Sequence, residues 1–389
     1  MVPGRRRILF AGLVLLAYAA LFLVVVRRGS ELQKDEIHFW PTSLLFSRSL
    51  IPDLDTLRNY NELNTPLPFM VFGGVEHLFG WGVTGGRLVN WLASLIVILL
   101  IGMPRRDGAW RSCLAAVGLM LCPYFVGAGI YLYTDMLAVL FVCLGVWFYL
   151  RSRHGLSAAA FILGIASRQY MIAFPAAILC YELWASWKKG FSVRGAWVAP
   201  AVAAASILGW IALFGGLAPR AALTAQQVST ARAARIFPDH GLYFLACVAV
   251  YFVLPEAILF RDWRPDLRRW RTAAACAVIL ILLFAAFPPL ENVEYPIPSM
   301  GFFDVAVRHV LPDFWRMALF CACAWICCLR FMRTGLAGVL VGMNALVMLK
   351  AHVGWDKYAL PLLAVLWLLR SEQRLGCGDE AGLLSARSG

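Results

Sequence analysis

Apolar residues fall in long runs along this chain, and short polar stretches separate the runs. A helix of about 20 apolar residues is long enough to cross the hydrocarbon core of a bilayer. Because a backbone inside hydrocarbon must satisfy its own hydrogen bonds, such runs indicate helices. The pattern predicts an all-α polytopic membrane protein with about twelve transmembrane helices. The predicted spans are 8–26, 87–103, 113–130, 136–150, two within 156–187, 196–217, 242–260, 272–287, 314–329, 336–349 and 359–369.

The composition indicates the same class of protein. Of the 389 residues, 61% are hydrophobic and 15% are charged, and the mean hydropathy is +0.73. Soluble domains have about 45–50% apolar and about 25% charged residues. We therefore expect one transmembrane domain over residues 1–370. Residues 371–389 are expected to form a disordered polar tail on the inner side.

The formal net charge of +13 is explained by membrane orientation rather than by nucleic-acid binding. Most Lys and Arg residues lie in short loops on one side, as the positive-inside rule requires of cytoplasmic loops. This orientation places both termini in the cytoplasm. The longest polar connections, 27–86, 218–241 and 288–313, then lie on the outer face, which is periplasmic for a bacterial inner membrane and lumenal for the endoplasmic reticulum. Chemistry is expected on that face.

Two motif-like patterns are better explained by structure than by binding. Gly80-Trp81-Gly82-Val83-Thr84-Gly85 matches the dinucleotide fingerprint but lacks the strand that must precede it, so these glycines are expected to form a turn and a helix start. Cys321, Cys323, Cys327 and Cys328 lack the paired spacing of a zinc site. Packing is their expected role, and we expect no metal and no other cofactor.

Two adjacent carboxylates, Asp35 and Glu36, follow the first span directly. A carboxylate can act as a general base when it is held near a reacting hydroxyl. His38 and Trp40 follow within a few residues, and aromatic rings beside carboxylates suit a sugar. The alternative is that both are solvated charges that mark the end of the helix.

Tyr131-Leu132-Tyr133-Thr134-Asp135 forms the predicted third outer turn. The turn is either one wall of an outer cavity or an aromatic belt in which Asp135 caps the next helix.

Arg168 and Gln169 interrupt an apolar stretch. An Arg at such a position needs water or an anion, and its planar fork suits phosphate oxygens. The alternative is a tight-turn residue whose side chain reaches the interface.

A compact polar patch precedes the last span and contains His352, Trp355, Asp356, Lys357 and Tyr358. Trp, Lys and Tyr commonly anchor helices at the interface. Lys357 could instead be a second cationic contact for a phosphate.

In their order along the chain, these segments resemble the GT-C membrane glycosyltransferases. Within them they are most similar to the dolichyl-phosphate-glucose-dependent α-1,2-glucosyltransferases of lipid-linked oligosaccharide assembly. Lys357-Tyr358-Ala359-Leu360-Pro361 also resembles a C-terminal motif of other GT-C enzymes. The other matching pieces, which cover residues 35–169, are Asp35-Glu36-Ile37-His38-Phe39, Thr65-Pro66-Leu67-Pro68, Gly86-Arg87-Leu88-Val89-Asn90, Tyr131-Leu132-Tyr133-Thr134-Asp135 and Arg168-Gln169.

The resemblance implies inverting transfer of a hexose, such as glucose, from a dolichyl- or polyprenyl-phosphate donor to a hydroxyl of a glycan or lipid-linked acceptor. Asp35 is then the base, and Glu36 or His38 orients it or the acceptor. The expected phosphate contacts are Arg168, Gln169, Lys357 and His352. The expected cavity residues are Trp40, Tyr131, Tyr133, Asp135, Trp355 and Tyr358.

Two other classes stay open at this point. A lipid or sugar transporter, or a flippase, also places charges at a membrane cavity, but it is expected to have polar residues near the middle of several spans. A non-catalytic membrane scaffold needs neither the carboxylates nor Arg168.

Overall fold

The computed structural model describes residues 3–33, 35–103, 109–189, 195–226, 228–229, 235–261, 270–290, 300–332 and 335–375. Every regular element within these ranges is a helix, which confirms the all-α prediction for them. Residues 376–389 of the predicted polar tail lie outside the described ranges. The chain divides into two compact units, Met1–Thr230 and Ala231–Gly389.

In the first unit, one apolar helix, Val83–Gly102, packs against five other helices. These five are Pro3–Arg27, Leu67–Phe79, Ala109–Met120, Pro123–Ile130 and Asp135–Leu150. The helices are α1 (Pro3–Arg27), α2 (Glu36–Phe46), α3 (Leu54–Arg58), α4 (Leu67–Phe79), α5 (Val83–Gly102), α6 (Ala109–Met120), α7 (Pro123–Ile130), α8 (Asp135–Leu150), α9 (His154–Ser167), a 3₁₀ turn at Gln169–Ile172, α10 (Ala173–Lys189), α11 (Gly195–Ala205), α12 (Ile207–Phe214) and α13 (Arg220–Ala225).

In the second unit, a buried ion cluster ties three helices together. Glu256 accepts hydrogen bonds of 2.7 and 2.8 Å from Arg330, and Arg370 lies 3.2 Å from the same carboxylate. The helices are α14 (Pro238–Val248), a π-helical turn at Ala249–Val253, α15 (Leu254–Phe260), α16 (Trp270–Ala286), α17 (Phe302–Arg308), α18 (Asp313–Phe331), α19 (Leu336–Met348), a 3₁₀ turn at Asp356–Ala359 and α20 (Leu360–Ser371).

Among the described residues, five helices are long and apolar enough to cross a membrane. They are Ile8–Arg27, Val83–Gly102, Ala196–Phe214, Pro238–Phe260 and Asp313–Phe331. A sixth candidate is the pair α6 and α7, which is bent by 75°. The bend falls where Pro123 begins α7, because proline cannot donate the hydrogen bond that would continue α6. Several other predicted spans are shorter apolar helices, so the number twelve stays a prediction.

The break that was predicted near Ser167 is confirmed, because α9 ends at Ser167 and α10 begins at Ala173. The glycine-rich pattern is confirmed as a helix connection. Gly80 ends α4 with a φ of +62°, and Gly82 precedes α5 with the same φ. Glycine adopts this left-handed conformation without strain.

Helices α2 and α4 approach each other closely at Gly73. A Cβ atom at this position would lie 2.6 Å from the carbonyl oxygen of Ser43 and 2.7 Å from the carbonyl carbon of Phe46. Both atoms belong to the backbone, so a side-chain rotation cannot relieve the overlap. Glycine at this position therefore sets how closely α2, which begins beside Asp35, lies against α4.

We predict that Gly73→Ala destabilises the protein by about 1–3 kcal/mol, because the two helices must separate to admit the methyl group. Gly74→Ala is the matched control, since its Cβ would have only Leu50 nearby, at 3.9 Å. Ala favours a helix over Gly by about 1 kcal/mol, so the control variant should be unchanged or stabilised. Thermal midpoints in detergent micelles measure both variants. Equal midpoints would show that α2 and α4 are not in this close contact.

Candidate active site

The two adjacent carboxylates occupy different environments. Asp35 precedes α2 and its side chain is half-buried, whereas Glu36 is fully buried. Glu36 accepts hydrogen bonds of 2.8 and 2.6 Å from Arg87, which is also fully buried. It accepts two more from the backbone N–H groups of Leu132, at 2.7 Å, and Gln33, at 3.0 Å. The buried Glu36 is therefore a structural anchor, and Asp35 is the more accessible acid.

Arg87 holds the segment that follows α1. Its guanidinium donates to the backbone oxygens of Gly29, at 2.8 Å, and Glu31, at 2.5 Å, in addition to Glu36. A buried ion pair overcomes its desolvation penalty only when its remaining hydrogen-bonding groups are also satisfied. Here the Glu36 carboxylate accepts four hydrogen bonds and the Arg87 guanidinium donates four, so the start of α2 is fixed to α5.

Asn90, one turn after Arg87 on α5, holds the turn between α7 and α8. Its side-chain amide donates to the backbone oxygens of Tyr131, at 2.9 Å, and Tyr133, at 2.8 Å. Gly86 allows this approach, since a Cβ there would lie 2.3 Å from the Leu132 side chain. One face of α5 thus binds both the Asp35 segment and the Tyr131–Tyr133 turn.

Tyr133 lies among the acidic groups of the site. Burial raises the pKa of its phenol, and the negative charges of Asp35 and Asp135 raise that pKa further. The Tyr133 ring packs edge-on against Phe39, with 6.4 Å between ring centroids. The phenol therefore stays protonated at neutral pH and can donate a hydrogen bond beside Asp35.

Arg168 is buried and ion-paired. Its side chain donates to the Asp135 carboxylate at 2.7 Å and to the Thr134 hydroxyl at 2.7 Å. Tyr170 donates to the other oxygen of Asp135 at 3.2 Å. Asp135 is therefore the partner of Arg168, and the interpretation of Asp135 as a helix cap is wrong, because the N-cap residue of α8 is Thr134. The phosphate contact of Arg168 stays a prediction.

The segment before α4 joins the same network. Asn64 donates to the Thr134 hydroxyl at 3.2 Å, and the Thr65 hydroxyl donates to the backbone oxygen of Ile165 at 2.7 Å. Gln169 donates to the backbone oxygen of Leu63 at 2.6 Å. Gln169 thus holds the chain in place, and its predicted phosphate contact is untested.

The first unit therefore brings together the five motif segments between residues 35 and 169. Within or directly beside these segments, His38 is exposed on α2, Trp40 is half-buried and Tyr131 is buried. Arg87, Asn90 and Thr134 belong to the motif segments, but the sequence did not predict their hydrogen bonds. The partners of these three side chains lie far away in the sequence.

The second unit contains the remaining predicted residues. Lys357 lies over the ring of Trp355, with 4.1 Å between its Nζ atom and the ring centroid. Asp356 is buried and accepts hydrogen bonds from the Tyr251 hydroxyl, at 2.9 Å, and from the Phe303 backbone, at 3.0 Å. His352 and Tyr358 are half-buried. The stacking of Lys357 fits interfacial anchoring, and its predicted phosphate contact is untested.

Among the described residues, no group of three or more His, Cys, Asp or Glu side chains is placed to hold a metal ion.

No protein-family model matches the chain, and no curated protein matches it. Among solved structures, the chain is similar to the crystal structure of ArnT from Cupriavidus metallidurans bound to undecaprenyl phosphate. The sequence identity is 15% and the TM-score is 0.45, over 93% of this chain and 77% of that one.

We predict that Glu36→Gln destabilises the protein by about 3–5 kcal/mol, because the substitution leaves Arg87 charged, buried and without its carboxylate. Glu31→Gln is the matched control. Glu31 is exposed in the same segment and contacts Arg87 only through its backbone oxygen, so the control should change stability by less than about 0.5 kcal/mol. Thermal midpoints in detergent micelles measure both, and similar midpoints would rule out the anchoring role of Glu36.

Proposed function

We propose that this protein is an inverting membrane glycosyltransferase of the GT-C type. It transfers a hexose from a polyprenyl- or dolichyl-phosphate donor to a hydroxyl of a glycan or lipid-linked acceptor on the outer face. One observation carries the proposal. Four of the five segments that resemble this superfamily are joined by hydrogen bonds beside the half-buried Asp35, although they are spread over residues 35–169. The fifth segment, residues 65–68, is joined to them through the neighbouring residues Leu63 and Asn64.

Asp35 is the base of the proposed reaction. It takes the proton of the acceptor hydroxyl while that oxygen forms a bond to the anomeric carbon of the sugar. The bond from the anomeric carbon to the phosphate oxygen breaks on the opposite side, and its electron pair leaves with the lipid phosphate. Glu36 is unsuited to this step, since it is fully buried and accepts four hydrogen bonds. Its role is to position Asp35.

Tyr133 and His38 are the proposed polar partners of the acceptor and of Asp35. The Tyr133 hydroxyl is protonated at neutral pH, like that of an ordinary tyrosine, and burial and the nearby carboxylates raise its pKa further. Tyr133 can therefore donate to a sugar oxygen near the Asp35 carboxylate. His38 follows Asp35 by three residues and is exposed on the first turn of α2. It can therefore contact an acceptor that approaches from solvent.

Arg168 is proposed to position the site. Its charge is balanced by Asp135 at 2.7 Å, so its attraction for a phosphate is weaker than that of a cation without a carboxylate partner. It fixes Thr134, Asp135 and, through Asp135, Tyr170 beside the turn that carries Tyr133.

We predict that Asp35→Asn lowers transfer by about 10²–10⁴-fold, because the amide cannot accept the acceptor proton. The measurement is mass spectrometry of lipid-linked glycans from cells that lack the gene, after reintroduction of the wild type or the variant. The same membranes are then supplied with polyprenyl-phosphate hexose to follow transfer directly.

Asp55→Asn is the matched control, since Asp55 is exposed in the same polar segment and contacts Asn59 rather than the site. This variant should restore the glycan fully. Normal transfer by Asp35→Asn would refute Asp35 as the base. A glycan that is missing from intact cells but formed normally by permeabilised membranes of the same knockout would identify a transporter or flippase instead.

A further inference from the structure

The outer end of α1 carries two arginines, Arg27 and Arg28, in different environments. Arg27 is exposed, and Arg28 is partly buried. In the predicted orientation both lie on the outer face, where the positive-inside rule disfavours arginine. Arg28 is a partly buried cation on the face where arginine is disfavoured, so the groups around it should explain its presence there.

The Arg28 guanidinium is held in place by neutral groups. It stacks on the ring of Tyr131, with 4.5 Å between its Cζ atom and the ring centroid, and it donates to the Gln33 side-chain oxygen at 2.7 Å. Its Nε atom is buried and has no hydrogen-bond partner among the residues that the structure describes. Stacking and a planar donor fork leave the remaining edge of an arginine suited to a phosphate.

Charge balance distinguishes Arg28 from the other two arginines of the site. Arg87 pairs with Glu36 at 2.6 Å, and Arg168 pairs with Asp135 at 2.7 Å. Within the described ranges, Arg28 has no carboxylate within ion-pair distance. Its charge is therefore the one in this group that is not already neutralised by a carboxylate.

The position of Arg28 also fits a donor whose lipid tail lies in the bilayer. Arg28 directly follows the end of a candidate span, where the phosphate of a membrane lipid is found. Tyr131 contacts Arg28, and its ring centroid also lies 6.0 Å from that of Tyr133, whose phenol feels the charge of Asp35. Inverting transfer requires the leaving phosphate and the base on opposite sides of the anomeric carbon, and two aromatic rings connect these two groups here.

We propose that Arg28, stacked on Tyr131, binds the phosphate of a polyprenyl phosphate at the outer membrane surface. The choice of a polyprenyl phosphate as the ligand rests on the proposed function, in which the lipid phosphate is the leaving group of the donor. A general role as a basic residue at the end of a helix would apply equally to Arg27, which has neither the ring nor the Gln33 contact. Arg27 is therefore the control.

The probe is farnesyl phosphate, a short polyprenyl phosphate, which is titrated into the full-length protein in detergent micelles. Arg28→Ala should weaken its binding by about ten- to one-hundred-fold, the loss of one or two charge-assisted hydrogen bonds. Arg27→Ala removes the same formal charge and should change affinity by less than about two-fold. Farnesol, which lacks the phosphate, should bind all variants equally.

Inorganic phosphate and farnesyl phosphate are then compared as competitors of a labelled farnesyl phosphate. If both compounds compete in the wild-type protein and neither competes in Arg28→Ala, the phosphate group alone is sufficient for binding. Competition by farnesyl phosphate alone shows that the lipid tail is also needed. Unchanged affinity in Arg28→Ala, or equal losses in Arg27→Ala and Arg28→Ala, would overturn the proposal.

Three further variants keep the test interpretable. Arg28→Gln keeps a polar, though shorter, side chain and replaces the alanine variant if that variant fails to fold. It should lose binding to the same extent. Arg28→Lys keeps the charge without the planar fork and should lose less. Asp35→Asn should bind farnesyl phosphate with wild-type affinity while transfer is lost. Absence of transfer by the wild-type protein, together with weaker binding in Arg28→Ala, would remove the proposed function and leave the phosphate site in place.

Discussion

The buried ion pair between Glu36 and Arg87 is the interaction on which the rest of the first unit depends. It joins the segment after α1, the start of α2, the turn at Leu132 and helix α5 at one point. A pair this deeply buried is stable only while every hydrogen-bonding group around it is satisfied. Movement of any one of the joined segments would break hydrogen bonds to the others, so the network holds these segments together beside Asp35.

This arrangement explains how two neighbouring carboxylates acquire different roles. A helix start directs successive side chains in different directions, so Glu36 faces α5 while Asp35 stays half-buried at the surface. The buried acid is neutralised by Arg87 and fixes the backbone. The surface acid is left at the end of a rigid segment, which is the arrangement that general-base catalysis requires.

Much of the coarse architecture could be predicted from the sequence, because hydrophobic length and glycine position are local signals. The break after Ser167 and the turn at Gly80 and Gly82 are such cases. The sequence favoured Asp35 over Glu36 as the base but could not predict that Glu36 is buried. The partners of Glu36 lie 51 and 96 residues away. The pairing of Arg168 with Asp135 was missed for the same reason. Arg28 could have been noticed as a violation of the positive-inside rule, but its stacking on Tyr131 becomes visible only in three dimensions.

Asn90 holds the turn after α7 through hydrogen bonds to the backbone oxygens of Tyr131 and Tyr133. Gly86 leaves space for the Leu132 side chain, which lies between these two residues in the turn. The shape of this turn is consequently independent of which side chains stand at positions 131 and 133. Relatives of this protein could exchange the two rings for other groups and keep the loop unchanged. A fixed backbone with replaceable side chains next to the proposed base would let substrate preference diverge in evolution without a change of scaffold.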